Sequence, residues 1–130
     1  MKFLDGLAPI AHWFLRIALA GVFLYHGLTK FPNLAGTAEF LGMPLFVAGL
    51  LAAAETLAGL LILLGGFLKD WMTRLAGLII AVVMIGAIFK VHLANGWSFM
   101  NNGMEFQFTL TMLGFYFLTV GNRPHSTATA

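Results

Sequence analysis

Four stretches dominate the alternation of apolar and polar positions along the chain. Residues 44–68 form an apolar run broken by a single charge, Glu55, and residues 71–94 contain an uncharged core from Leu75 to Phe89. Residues 105–121 are charged only at their first position, Glu105, and residues 9–29 carry their ionisable groups at His12, Arg16 and His26. A helix crosses about 30 Å of hydrocarbon with roughly 20 mostly apolar residues. The pattern therefore predicts an all-α, four-helix transmembrane bundle, a single domain over residues 1–130 with both termini on one side.

The connections carry suitable turn chemistry. Pro32, Asn33, Gly36, Gly42 and Pro44 separate the first stretch from the second and stop its helix near Phe31. Lys69–Asp70 forms a short polar hairpin, and Asn95–Gly96 and Asn101–Asn102–Gly103 bracket Trp97, Phe99 and Met100 in a loop suited to the headgroup zone. Residues 122–130 read as a polar, frayed tail. The first stretch holds Arg16 and lacks a small-x-small cleavage site before Gly27, so it reads as a span and not as a signal peptide. Lys2, Lys69, Arg74 and Arg123 fall on the side of the termini, against Lys30 and Lys90 on the other, which favours cytoplasmic termini.

Composition sharpens this picture. Of 130 residues, 60% are hydrophobic and 9% are Asp, Glu, Lys or Arg, where soluble domains carry about 25% charged residues. Soluble and disordered classes are excluded, and a multi-pass protein of a bacterial or archaeal cytoplasmic membrane, in contact with lipid, is expected. Seven scattered basic residues make no nucleic-acid face. Cysteine is absent, which removes disulfides, thiolate nucleophiles, Cys-ligated iron–sulfur clusters and covalent c-type haem.

At about 100° per residue, His12, Arg16, His26 and Lys30 share one narrow face of the first helix. On the third, Arg74 and His92 align while Lys90 lies about 160° away, suited to snorkelling towards the interface. Glu55 is alone on the second helix. Arg16 and Glu55 differ by roughly 5 Å in depth when the spans are centred on one another, which predicts a buried Arg16–Glu55 ion pair, either structural or able to bind an anion or relay protons. His26, His92 and Glu105 are expected to converge near the outer end, with Lys30 above them and Trp97 beside them. They could hydrogen-bond a quinone headgroup, or be interfacial polar groups satisfied by water. A bis-His haem and a His–His–Glu metal site are less suited: one histidine pair in a short chain leaves little room for the macrocycle, and no close ligand spacing exists. Ala48, Gly49, Ala52, Ala53, Ala54, Ala58 and Gly59 give the second helix a small-residue face that permits close packing or a homodimer.

Over about residues 13 to 121 the chain resembles the DoxX family of small four-helix membrane proteins. The matching residues are Arg16, Gly21, Phe23, Gly27 and Lys30 in RIALAGVFLYHGLTK, Phe40, Gly42 and Pro44 in FLGMP, and Glu55, Gly59, Leu63 and Gly65 in ETLAGLLILLG. His92, Trp97 and Glu105 resemble the family's later polar positions. Ala58 stands where the helix motif has its first glycine, a departure that touches packing. The resemblance implies a membrane subunit of an oxidoreductase assembly, akin to DoxD-type subunits of thiosulfate:quinone oxidoreductases, handling a quinone or similar apolar redox substrate. It also implies soluble redox or sulfurtransferase partners, for which the chain could instead be a non-catalytic anchor.

Overall fold

The computed structural model describes residues 1–123. After a short helix α1 (Lys2–Asp5) come α2 (Ala11–Lys30), α3 (Leu34–Leu41), α4 (Leu45–Phe67), α5 (Asp70–Ala87) and α6 (Glu105–Val120). The long helices pack in chain order, α2 on α4, α4 on α5 and α5 on α6. Leu19, Phe23, Ile62, Ile80 and Phe117 are fully buried between them. Large apolar side chains face outward on every long helix, among them Phe14, Ile17, Phe46, Leu50, Val82 and Phe115. Such a surface is unfavourable in water and suits lipid.

Three helical stretches, Ala8–Leu41, Leu45–Phe67 and Asp70–Asn95, are long and apolar enough to cross a membrane. The protein is accordingly an integral membrane protein. The 16 residues of α6 rise only about 24 Å. It is held tightly nonetheless: a Cβ on Gly77 would lie 2.5 Å from Leu118 N and 2.6 Å from Gly114 O. Two helices approach this closely only through small residues. Gly77→Leu should therefore cost at least about 1–3 kcal/mol through overpacking, read as a lowered unfolding midpoint in detergent. Gly86→Leu, at an open position on the same helix, serves as the control that stays near wild type.

Three features depart from the sequence reading. The segment between Phe31 and Pro44 is not merely a turn-rich loop, because α3 occupies it. Asn33 caps that helix by accepting a 3.0 Å bond from Gly36 N, and left-handed Gly42 ends it. The third helix changes register at its end, with Ile88–His92 in π-helical geometry followed by a 3-10 turn, Leu93–Asn95. Finally, Asn122 is no frayed residue: it lies at the centre of a hydrogen-bond network. The rest of the expected tail, residues 124–130, lies outside the described residues.

Candidate functional site

The bundle is tied shut at the end where α2 begins and α6 finishes. Arg16, 1% exposed, donates from Nη1 to Ile62 O (2.7 Å) and Thr73 Oγ1 (2.9 Å), from Nη2 to Asn122 Oδ1 (2.7 Å), and from Nε to His12 Nδ1 (3.0 Å). Asn122 in turn donates to Gly65 O (2.6 Å) and accepts from Thr73 Oγ1 (2.6 Å). Its backbone N–H donates to Asp70 Oδ1 at 2.7 Å, while Arg74 bonds the other oxygen of Asp70 and the final carbonyls of α6. The Arg16 guanidinium also lies against the rings of Trp13 and Phe117. One planar fork thus stitches α2, α4, α5 and the end of α6 together, an arrangement for which Arg is fitted and Lys is not.

The expected Arg16–Glu55 pair does not form. Because α3 prolongs the first helical stretch, α2 is displaced along α4 relative to two centred spans. Gly27 meets Ala52 and Thr56, Leu24 meets Gly59 and Trp13 meets Gly66. In this register Glu55 lies level with the C-terminal part of α2, and Arg16 bonds Ile62 O, about 10 Å farther along α4. Cβ atoms tilt towards a helix's N-terminus, so Lys30 leans back into the bundle. Its Nζ reaches Glu55 Oε2 at 2.5 Å and the carbonyl of His26 at 2.9 Å. Both partners are largely buried, with side chains 17% and 7% exposed.

Beyond this level the helices part around a cleft of about 920 Å³. Phe23, Leu51, Val83, Met84, Phe106 and Leu110 supply apolar wall; His26, Lys30, Glu55, Lys90, His92 and Gln107 supply its main polar groups. Residues of α3, including Gly36, Thr37 and Phe40, complete the lining. Of the expected cluster, His26, Lys30 and His92 thus come to one cleft. Trp97 and Glu105 do not: they flank a separate hollow of about 500 Å³. The carboxylate of Glu105 is occupied, its Oε1 accepting from Phe99 N at 2.6 Å, which ties the loop and separates Glu105 from the two histidines. Among the described residues no three His, Asp or Glu side chains gather as a metal would require.

Two lining residues escaped the sequence reading. An ideal helix turns Lys90 away from His92, yet both line the cleft from a π segment, a geometry that recurs at functional sites. Lys90 Nζ is exposed and only approaches Gly42 O, at 3.5 Å. Gln107 Oε1 is buried without a hydrogen-bond partner among the described residues, a costly state for an amide oxygen. A glutamine in an apolar span was the available signal.

The DoxX family model matches residues 11–93, the stretch that supplies Arg16, Lys30, Glu55, Lys90 and His92. A Bacillus subtilis protein named "Putative oxidoreductase CatD" is 35% identical over 112 residues, covering 84% of this chain and 78% of the relative. A Haemophilus influenzae protein without an assigned function is 33% identical over 129 residues, covering 93% of this chain and 90% of the relative. No solved structure matches the chain. With its matched stretch running from the start of α2 through the cleft-lining end of the third helix, the chain belongs to the DoxX family.

Proposed function

We propose that the protein is a membrane subunit of an oxidoreductase assembly whose cleft receives a quinone or a similar apolar redox molecule. The carrying observation is the cleft itself: apolar helix walls sized for a drug-like body, with an ion pair, two histidines and a second lysine for a polar head. Membership of the DoxX family and the oxidoreductase name of the Bacillus subtilis relative support the same reading. With α6 as a fourth span and the termini in the cytoplasm, the cleft opens towards the outer face of a bacterial or archaeal cytoplasmic membrane. Lys30 and Lys90 offer hydrogen-bond donors to carbonyl oxygens, and Glu55 Oε1 and the imidazoles offer acceptors to hydroxyls. The chain has no thiol of its own, and in this reading a partner protein exchanges electrons with the head.

Native mass spectrometry of the protein extracted with its own lipids tests this. The expected result is a quinone mass retained by the wild type and lost from His92→Ala with the bundle intact. Retention of phospholipid alone would favour the alternative, a non-catalytic anchor recruiting soluble redox or sulfur-metabolism enzymes. In that case His92→Ala leaves both assembly and activity unchanged.

A further inference from the structure

His92 differs from the other polar groups of the cleft in having its protonation pattern set by the backbone. Its Nδ1 lies 2.9 Å from the carbonyl oxygen of Asn102. A carbonyl only accepts, so in neutral His92 the hydrogen sits on Nδ1, and Nε2, across the ring, carries a lone pair. The carbonyl is held in place by the loop around it. Asn102 is left-handed, with φ 58°, and is the one non-glycine with positive φ among the described residues. Its N–H bonds Phe99 O at 3.0 Å, and Asn95 Nδ2 bonds its carbonyl at 3.2 Å. Gly103 N bonds Ser98 O at 2.8 Å, Met104 N bonds Gly96 O at 3.0 Å, and Glu105 N bonds Trp97 O at 3.0 Å. A side chain on Gly103 would strike Gly96 O and Ser98 O, each 2.6 Å away. The loop is therefore a tight frame, and one product of it is a carbonyl aimed at His92.

We infer that Asn102 is a positioning residue: its carbonyl fixes His92 as the Nδ1–H tautomer, so that Nε2 accepts a hydrogen bond in the cleft and selects the hydroxyl-bearing, reduced form of a quinone-type head. This rests on the cleft being the ligand site. A hydroquinone oxygen can donate to Nε2 while accepting from an amine such as Lys90. A quinone carbonyl only accepts, and would set its lone pairs against that of Nε2. The titratable groups sharing the cleft are His26, Lys30, Glu55 and Lys90. Lys30 and Glu55 are engaged with each other, and Glu105 is bound to the loop backbone, so none of these three hydrogen-bonds His92.

The test is ¹⁵N NMR of histidine-labelled full-length protein in lipid nanodiscs at about pH 8.5, above the ordinary imidazole range, with His92 assigned by its loss in His92→Gln. The expected spectrum has Nδ1 protonated and Nε2 unprotonated. Free imidazole side chains favour the opposite tautomer. Asn102→Gly keeps the left-handed turn and should keep this spectrum; Asn102→Val, β-branched and averse to positive φ, should lose it. Protonation at Nε2 in the wild type, or an unchanged Asn102→Val spectrum, overturns the inference. Adding short-chain ubiquinol should then move the Nε2 resonance towards the protonated range. Ubiquinol should bind about tenfold tighter than ubiquinone, a preference of about 1.4 kcal/mol, which Asn102→Gly keeps and Asn102→Val loses. Ubiquinol that perturbs the amides of Phe106 and Leu110 but not Nε2, or equal affinity for the two forms, overturns the inference. Failure of both molecules to perturb any cleft resonance, with the Nδ1–H tautomer present, overturns the reading of the cleft as a quinone site, and the selectivity with it.

Discussion

Arg16→Ala should destabilise the bundle by at least about 3 kcal/mol, since hydrogen bonds to a charged group are worth about 1.5–3 kcal/mol each and several are lost together. The guanidinium binds one acceptor from each of α4 and α5 and one just beyond α6, besides His12 on its own helix. Its removal strips Ile62 O of its charged donor and leaves a void beside Trp13 and Phe117. Arg16→Lys should recover less than half of the loss, because three donors on a single nitrogen cannot copy a planar fork. Reversible unfolding in bicelles measures both. An Arg16→Ala protein as stable as wild type would show that the network does not close this end of the bundle.

The second large effect concerns Lys30 and Glu55. Lys30→Met leaves a carboxylate nearly buried without its cation, and loss of one partner of a buried pair costs about 3–5 kcal/mol. Glu55→Gln strands the ammonium in the same way, although Lys30 keeps its bond to His26 O and some access to the cleft. The double variant Lys30→Met, Glu55→Gln should be more stable than the sum of the single losses predicts, by about 2 kcal/mol. A parallel cycle on Arg16 and Glu55 should be additive within about 0.5 kcal/mol, as for sites without shared partners. Coupling in the second cycle and none in the first would restore the pair that simple depth arithmetic suggests.

That contrast marks where the sequence was legible. The helical, membrane-spanning character of the chain and the order of its long helices follow from apolar runs, since hydrocarbon tolerates few charges and the helix rise is fixed. Turn positions follow from Pro and Gly for similarly local reasons. The gathering of His26, Lys30 and His92 follows from shared faces and common depth. Register between helices is not local. It depends on α3, which the density of turn residues from Pro32 to Pro44 obscured, and a displacement along α4 was enough to exchange the partner of Glu55. The π turn at Ile88–His92 is likewise invisible in the apolar pattern, and a projection at about 100° per residue puts Lys90 and His92 on opposite faces although both line the cleft. Glu105 was misplaced for a third reason: a carboxylate at a helix start is as ready to bind a loop N–H as to join a distant cluster, and Phe99 N offers that bond within six residues. Asn122 shows the converse error, since a polar residue after the last span can be the keystone of a buried network.

The central claim is that the cleft between the parted helices holds the ligand's head. Photocrosslinking with an azido-quinone in nanodiscs, followed by peptide mapping, addresses it most directly. Labels should concentrate on the cleft walls, at Phe23, Val83, Met84 and Phe106, and a non-reactive ubiquinone should compete them away. Labels confined to outward residues such as Phe14, Phe46 and Phe115, and insensitive to competition, would contradict the claim.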